Sequence, residues 1–127
     1  MAKLRHPERP GLHVRVVFDG AVLMGPGKAE LLEGIRETGS IAAAGRLMGM
    51  SYKRAWRLVE AMNATFSAPL VDTAKGGTGG GGASLTELGI CILGAYRRLE
   101  QAAEAAGEAE IAVLRSNGVW GRRAPAG

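Results

Sequence analysis

Apolar residues in this chain recur at two spacings, and the places where the spacing changes outline the fold. In "LHVRVVFDGAVLM", Leu12, Val14, Val16 and Phe18 alternate with His13, Arg15 and Val17. Period-two alternation running into Asp19-Gly20 predicts a strand, a hairpin turn and a short return strand. The spacing then lengthens. In "GPGKAELLEGIRETGS", Ala29, Leu31, Leu32 and Ile35 fall on one side of a helix, with Pro26 in its first turn and Gly39 at its end. Ser40 suits the N-cap of a second, short helix, "IAAAGRLMG", stopped by Gly49. Ser51 suits the cap of a third, "YKRAWRLVEAMNATF". There Ala55, Leu58, Val59, Met62 and Phe66 form a core-facing stripe. Lys53, Arg57, Glu60 and Ala64 lie opposite that stripe, with Arg54 and Ala61 to one side.

"PLVDTA" reads as another short strand. A glycine-rich run follows it, and then Thr86 as the cap of a long helix from about Glu87 to Ala106. Along this helix Leu88, Ile92, Ala95, Leu99, Ala102 and Ala106 step by 4, 3, 4, 3 and 4, a heptad seam. So long a seam on a small domain predicts a homodimer contact through Leu88, Ile92, Ala95, Leu99 and Ala102. The expected organisation is a flexible N-terminus over 1–11, a domain over 12–106 that includes the long helix, and a partly ordered tail over 107–127.

Composition agrees with one globular domain: 127 residues, 46% of them hydrophobic and 22% charged. Cys91 is the single cysteine, so no internal disulfide forms and a reducing compartment is expected. Within the apolar run "LGICILGAY" it reads as a small buried hydrophobe. The first residues, "MAKLRHPERPG", lack the apolar core of a secretory signal. No apolar run approaches the roughly 20 residues that span a bilayer. A cytoplasmic protein is expected.

The distribution of charge says more than the net value of +4. From Thr38 to Val59 there is no acidic residue, while Arg46, Lys53, Arg54 and Arg57 all fall there and equal the whole excess. That concentration is the electrostatic footprint of a phosphate-bearing partner. It coincides with two short helices joined by a tight turn, "SIAAAGRLMGMSYKRAWRLV", a helix-turn-helix pattern. Ala44, Met48, Met50, Ala55 and Leu58 take its apolar positions, Gly45 is small where the helices approach, and Gly49 occupies the turn. In such a unit the second helix enters the major groove of duplex DNA with its N-terminal residues at the base edges. Here those are Ser51, Tyr52, Lys53 and Arg54, with Arg57 one turn on and Ser40 at the head of the first helix. Arg and Lys match guanine O6 and N7, and hydroxyls reach bases or phosphates. Trp56 reads as a core-edge residue rather than a base-stacker.

Six of the seven positions from Gly76 to Gly82 are glycine. "GTGGGG" matches a dinucleotide-binding pattern in letters, but no βαβ unit surrounds it and no second strand carries a ribose-binding carboxylate. No Gly-Lys-Ser/Thr follows, which removes a Walker loop. Between "LVDTA" and "ASL" the run reads as the turn of a β-hairpin wing, Gly76, Gly77, Thr78, Gly79, Gly80, Gly81 and Gly82, with Lys75 at its base near phosphate. His6 and His13 are the only histidines, and neither lies near Cys91 or a carboxylate at helical spacing. Metal-ligand spacings are absent. No enzyme, metal or cofactor is expected. The fold class is mainly α with a small β component: a winged helix-turn-helix with an N-terminal β-hairpin and a long C-terminal dimerisation helix.

The stretch "ETGSIAAAGRLMGMSYKRAWRLVEAMN", followed by "PLV…GGTGGGGASLTELG", resembles the N-terminal winged-helix domain of ModE-type molybdenum-dependent transcriptional regulators, itself similar to the LysR-type helix-turn-helix. The resemblance covers roughly Leu12 to Glu100 and rests on "GSI", "MSYKRAW" and the glycine-rich element in that order. It implies a dimer on a two-fold operator, with Ser51, Tyr52, Lys53 and Arg54 starting the recognition helix and Gly76 to Gly82 forming the wing. Members of that family add C-terminal Mop-type domains that bind molybdate. The residues after the long helix are too few for one, so molybdate binding by this chain is not expected. The rival reading is a degenerate winged helix that dimerises or docks a partner regulator through Leu88 to Ala106.

Overall fold

The computed structural model describes residues 11–74 and 82–119. Their order is β1 (Val16–Phe18), β2 (Ala21–Met24), α1 (Pro26–Thr38), α2 (Ile41–Leu47), α3 (Tyr52–Thr65), β3 (Val71–Thr73), β4 (Ala83–Leu85), α4 (Glu87–Ala106) and α5 (Glu108–Asn117). The strands form two separate antiparallel hairpins, β1–β2 and β3–β4.

The first hairpin turns at Asp19 and Gly20, which both have positive φ (54° and 81°), as a type I′ turn requires. It is shorter than the alternation predicts. Val16 faces Met24 but Val17 faces Val22, so the register slips by one residue at Leu23. Such a bulge twists the ribbon and breaks the period-two face. Phe18 stands exposed next to the turn, and Leu12 lies outside the strand.

Pro26 opens α1, and Gly39 closes it with a left-handed φ of 73° and a bond from its N–H to the Ile35 carbonyl. The buried face of α1 is Ala29, Leu31, Leu32 and Ile35, as its pattern predicts. α1 packs on α2, α4 and β4, and α2 packs on α3. Leu31, Leu32 and Ile35 meet Val59 and Met62 of α3, Leu70 and Leu93 in one core, all almost wholly removed from solvent. Each large aliphatic side chain so buried contributes about 1.5–3 kcal/mol.

Asn63 fixes the exit from α3. Its Oδ1 accepts from the N–H groups of Leu70 (2.8 Å) and Val71 (3.1 Å), and its Nδ2 donates to the Val71 carbonyl (3.1 Å). The start of α4 is bound to the same place. Thr86 N donates to the Leu70 carbonyl at 2.9 Å, and the Thr86 hydroxyl donates to the Pro69 carbonyl at 2.8 Å. Thr86 also caps the helix, its oxygen accepting from Gly89 N at 2.9 Å. Further along, the Tyr96 hydroxyl donates to the Val14 carbonyl (2.6 Å), and Arg97 bridges Glu33 of α1 and Glu100. α4 thereby holds α1 and the segment that leads into the first hairpin.

A second departure from the sequence expectation concerns Cys91. Cys91 is exposed rather than buried, because α4 turns only Gly89, Leu93 and Tyr96 fully into the core. Within 107–127, expected as a partly ordered tail, lies α5, a ten-residue helix with no fully buried residue. Residues 120–127 lie outside the described part.

Candidate nucleic-acid interface

The helix-turn-helix is built by backbone bonds that need small residues. The Gly45 carbonyl accepts from both Met48 N (3.0 Å) and Met50 N (2.9 Å), which folds the chain tightly between α2 and α3. A Cβ on Gly45 would lie 2.9 Å from the Ala55 Cβ, so glycine sets the distance between the helices. Gly49 provides the positive φ of the turn (73°). Ser40 caps α2 through Ala43 N at 2.9 Å, and Ser51 caps α3 through Arg54 N at 3.1 Å. The expected positions of both caps therefore stand.

α3 buries Ala55, Val59 and Met62 and leaves Ser51, Tyr52, Lys53, Arg54 and Arg57 exposed on its outer side. Its first turn carries no acidic residue. Free N–H groups, the positive end of the helix and three cations thus share one surface. Tyr52 is 58% exposed and stacks on Trp56, with ring centroids 6.4 Å apart. Trp56 is half-buried against the core, as expected of a core-edge residue. It holds the phenol ring at the head of the helix.

The arms of the expected wing are present. Val71, Asp72 and Thr73 pair with Leu85, Ser84 and Ala83. Ala74 N donates to the Gly82 carbonyl at 2.9 Å, closing the hairpin around 75–81. Lys75, Gly76, Gly77, Thr78, Gly79, Gly80 and Gly81 lie outside the described residues. Gly82 lies within them, and next to it Ala83 N donates to the Gly39 carbonyl at 2.9 Å. That bond ties the wing to the residue preceding the α2 cap.

Of the seam residues, Leu88 and Ile92 are half-buried against the core, whereas Ala95, Leu99 and Ala102 are exposed within the chain. Among the described residues no group of His, Cys, Asp or Glu is arranged to hold a metal ion, and no helix is long and apolar enough to cross a membrane.

One part of this surface was not singled out in the sequence. A cavity of about 760 Å³ opens between the first hairpin, the start of α1 and the start of α3, and His13, Arg15, Lys28, Ser51 and Arg54 supply its polar side chains. No Asp or Glu lines it. Lys28 Nζ donates to the Val22 carbonyl at 2.9 Å. Burial, and after it the charge of Arg15, lower the Lys28 pKa from its ordinary value. Arg15 and Lys28 sit far from Arg54 in sequence, and only the fold of the hairpin over α1 brings them together.

Residues 28–90 match the bacterial regulatory helix-turn-helix protein, lysR family. This part of the chain is a LysR-type helix-turn-helix domain. The chain is 49% identical over 77 residues to molybdenum-pterin-binding protein MopB of Rhodobacter capsulatus, covering 61% of this chain and 28% of that protein. It is 44% identical over 71 residues to transcriptional regulator ModE of Yersinia pestis (56% and 27%). It is 41% identical over 76 residues to the DNA-binding transcriptional dual regulator ModE of Escherichia coli K12 (60% and 29%). The LysR-type domain thus spans less than a third of the length of these relatives and is consistent with an N-terminal domain of ModE-type regulators. In fold it is similar to the CbnR DNA-binding domain solved with DNA, with a TM-score of 0.54 and 23% identity over 69% of this chain and 95% of that one. Full-length CbnR with its target DNA gives the same score over 68% and 28%.

Proposed function

We propose that this chain is a sequence-specific, DNA-binding transcriptional regulator that acts as a homodimer, is linked to molybdenum metabolism and works in the cytoplasm. The observation that carries this reading is the exposed, acid-free head of α3, where Ser51, Tyr52, Lys53, Arg54 and Arg57 surround a capped helix N-terminus. Arg54 and Arg57 read guanine edges in the major groove, Lys53 pairs with a base or a phosphate, and Ser51 and Tyr52 offer hydroxyls. Ser40, Lys75 and the glycine loop from Gly76 to Gly82 lie against the backbone of the same site. The glycines have no side chain to read bases, so specificity rests on α3. The exposed Ala95, Leu99 and Ala102, continuing from Leu88 and Ile92, pack against a second copy and set the spacing of two half-sites.

The link to molybdenum rests on the names of the relatives. Sensing of molybdate is assigned to no residue of this chain, and no chemistry is performed on a substrate. Selection of bound sequences from a random duplex pool, with and without molybdate, tests the reading. A two-fold symmetric consensus, the same in both conditions, is expected. No salt-dependent binding to any duplex at low salt would refute it and leave the interaction module that docks a partner through Leu88 to Ala106.

A further inference from the structure

The cavity at the foot of the first hairpin has a largely apolar lining, with Val22, Pro26, Met48, Met50 and Leu58, but every charged side chain in that lining is basic. Arg15 comes from the strand side, Lys28 from the first turn of α1, and Arg54 from α3, with His13 and Ser51 beside them and no carboxylate in the lining. Arg15 is brought there by packing. A Cβ on Gly25 would lie 3.3 Å from the Arg15 Cγ, so the arginine stem crosses the helix start closely, where a larger residue would push it away. α1 is a thirteen-residue helix with no side-chain cap and no acid in its first turn. Its N–H groups and dipole add to the positive field of the cations.

Arg54 and Ser51 line this cavity and also lie at the head of the recognition helix. The cavity is therefore continuous with the surface that faces DNA. We infer that it receives a backbone phosphate of the DNA that flanks the bases read by α3, gripped by Arg15 and Lys28 outside the helix-turn-helix itself. The inference rests on the proposed DNA-binding function and adds to it a contact made by the N-terminal hairpin and α1. A phosphodiester fits because it carries one negative charge, needs several donors and brings no base identity. The contact consequently contributes affinity and register without specificity.

The test uses the full chain and two neutral, polar variants, Arg15→Gln and Arg15→Gln/Lys28→Gln. Fluorescence anisotropy on the selected operator and on a random duplex, across a salt series, gives the slope of log K against log salt. The slope is expected to fall in magnitude by about one for a single lost phosphate, equally on both duplexes, with the selected consensus unchanged. Arg15 is exposed, so the single variant carries the test should the double one melt early by circular dichroism. Unchanged affinity and slope in the variants, while the unaltered chain binds DNA, overturn the inference but not the proposed function. Absence of duplex binding by the unaltered chain overturns both. Calorimetric titration of inorganic phosphate into the DNA-free chain separates the remaining source of the same chemistry. Sub-millimolar binding lost in the variants, with the DNA slope intact, would mark a free-anion site and overturn the backbone assignment.

Discussion

Two glycines in α4 offer a matched perturbation whose signs are opposite. At Gly89 a Cβ would fall inside van der Waals contact of the Leu70 carbonyl oxygen, and lie 3.1 Å from its carbonyl carbon and 3.3 Å from its Cα. These are backbone atoms of a fully buried residue, held by Asn63 on one side and Thr86 on the other. Gly89→Ala must therefore displace the first turn of α4. That movement breaks the bonds from Thr86 N to Leu70 and from the Thr86 hydroxyl to Pro69, at about 0.5–1.5 kcal/mol each. Overpacking adds about 1–3 kcal/mol, and the gain in helix propensity, at most about 1 kcal/mol, is subtracted. The net loss is about 1–5 kcal/mol with a midpoint near 3, which at the midpoint is roughly 12 °C in Tm for a chain of this size. At Gly94 the only close neighbour of a Cβ among the described residues would be the Arg98 guanidinium, at 3.2 Å, and that flexible side chain can swing away. Gly94→Ala is expected to stabilise by up to about 1 kcal/mol. Thermal and urea melts of both variants by circular dichroism give the comparison. Equal melting points for the two variants, or a Gly89→Ala protein as stable as the unaltered chain, would refute the steric argument.

Other perturbations separate reading, clamping and folding. Arg54→Ala is expected to cost about 1–3 kcal/mol of specific binding and to relax one base position, whereas Lys75→Ala should weaken all sequences alike and flatten the salt slope by about one; gel shifts on operator and random duplex distinguish them, and unchanged affinity in both would sink the site assignment. Asn63→Ala leaves Leu70 N and Val71 N without their acceptor and should lower unfolding stability by about 1–3 kcal/mol in urea melts. The Tyr96 pKa is pushed up to about 12, first by burial and then by the Glu100 carboxylate. A raised pKa means that the neutral phenol is favoured in the folded chain. Its stabilisation should hold below pH 10 and be lost as pH rises toward 12, and absorbance of tyrosinate across that range, compared with a Tyr96→Phe variant, checks it.

Much of the architecture is legible because its determinants are local. Ser40, Ser51 and Thr86 each announce a helix start through a hydroxyl that reaches a backbone N–H three residues on. Gly39 and Gly49 mark stops through a backbone conformation that other residues resist. The basic head of α3 could be found because its residues are contiguous. What escaped the pattern depends on contacts through space. Cys91 sits in an apolar run, yet among the described residues one side of α4 packs on the core, and Cys91 is off that side. The bulge at Leu23 moves the hairpin's apolar face in a way that alternation cannot show. Arg15 and Lys28 join Arg54 only when the hairpin closes over α1, and nothing in their immediate neighbours signals that meeting.

The bond from Ala83 N to the Gly39 carbonyl has a wider consequence. It joins the inner strand of the second hairpin to the residue just before the helix-turn-helix, and Asn63 anchors the outer strand to α3. The distance from the α3 head to the base of the loop is therefore a fixed gauge rather than an adjustable reach. On duplexes that offer the same bases to α3, flanking sequences whose grooves are narrowed or overtwisted would present backbone at the wrong separation for that gauge. They would be disfavoured without any difference in the bases read.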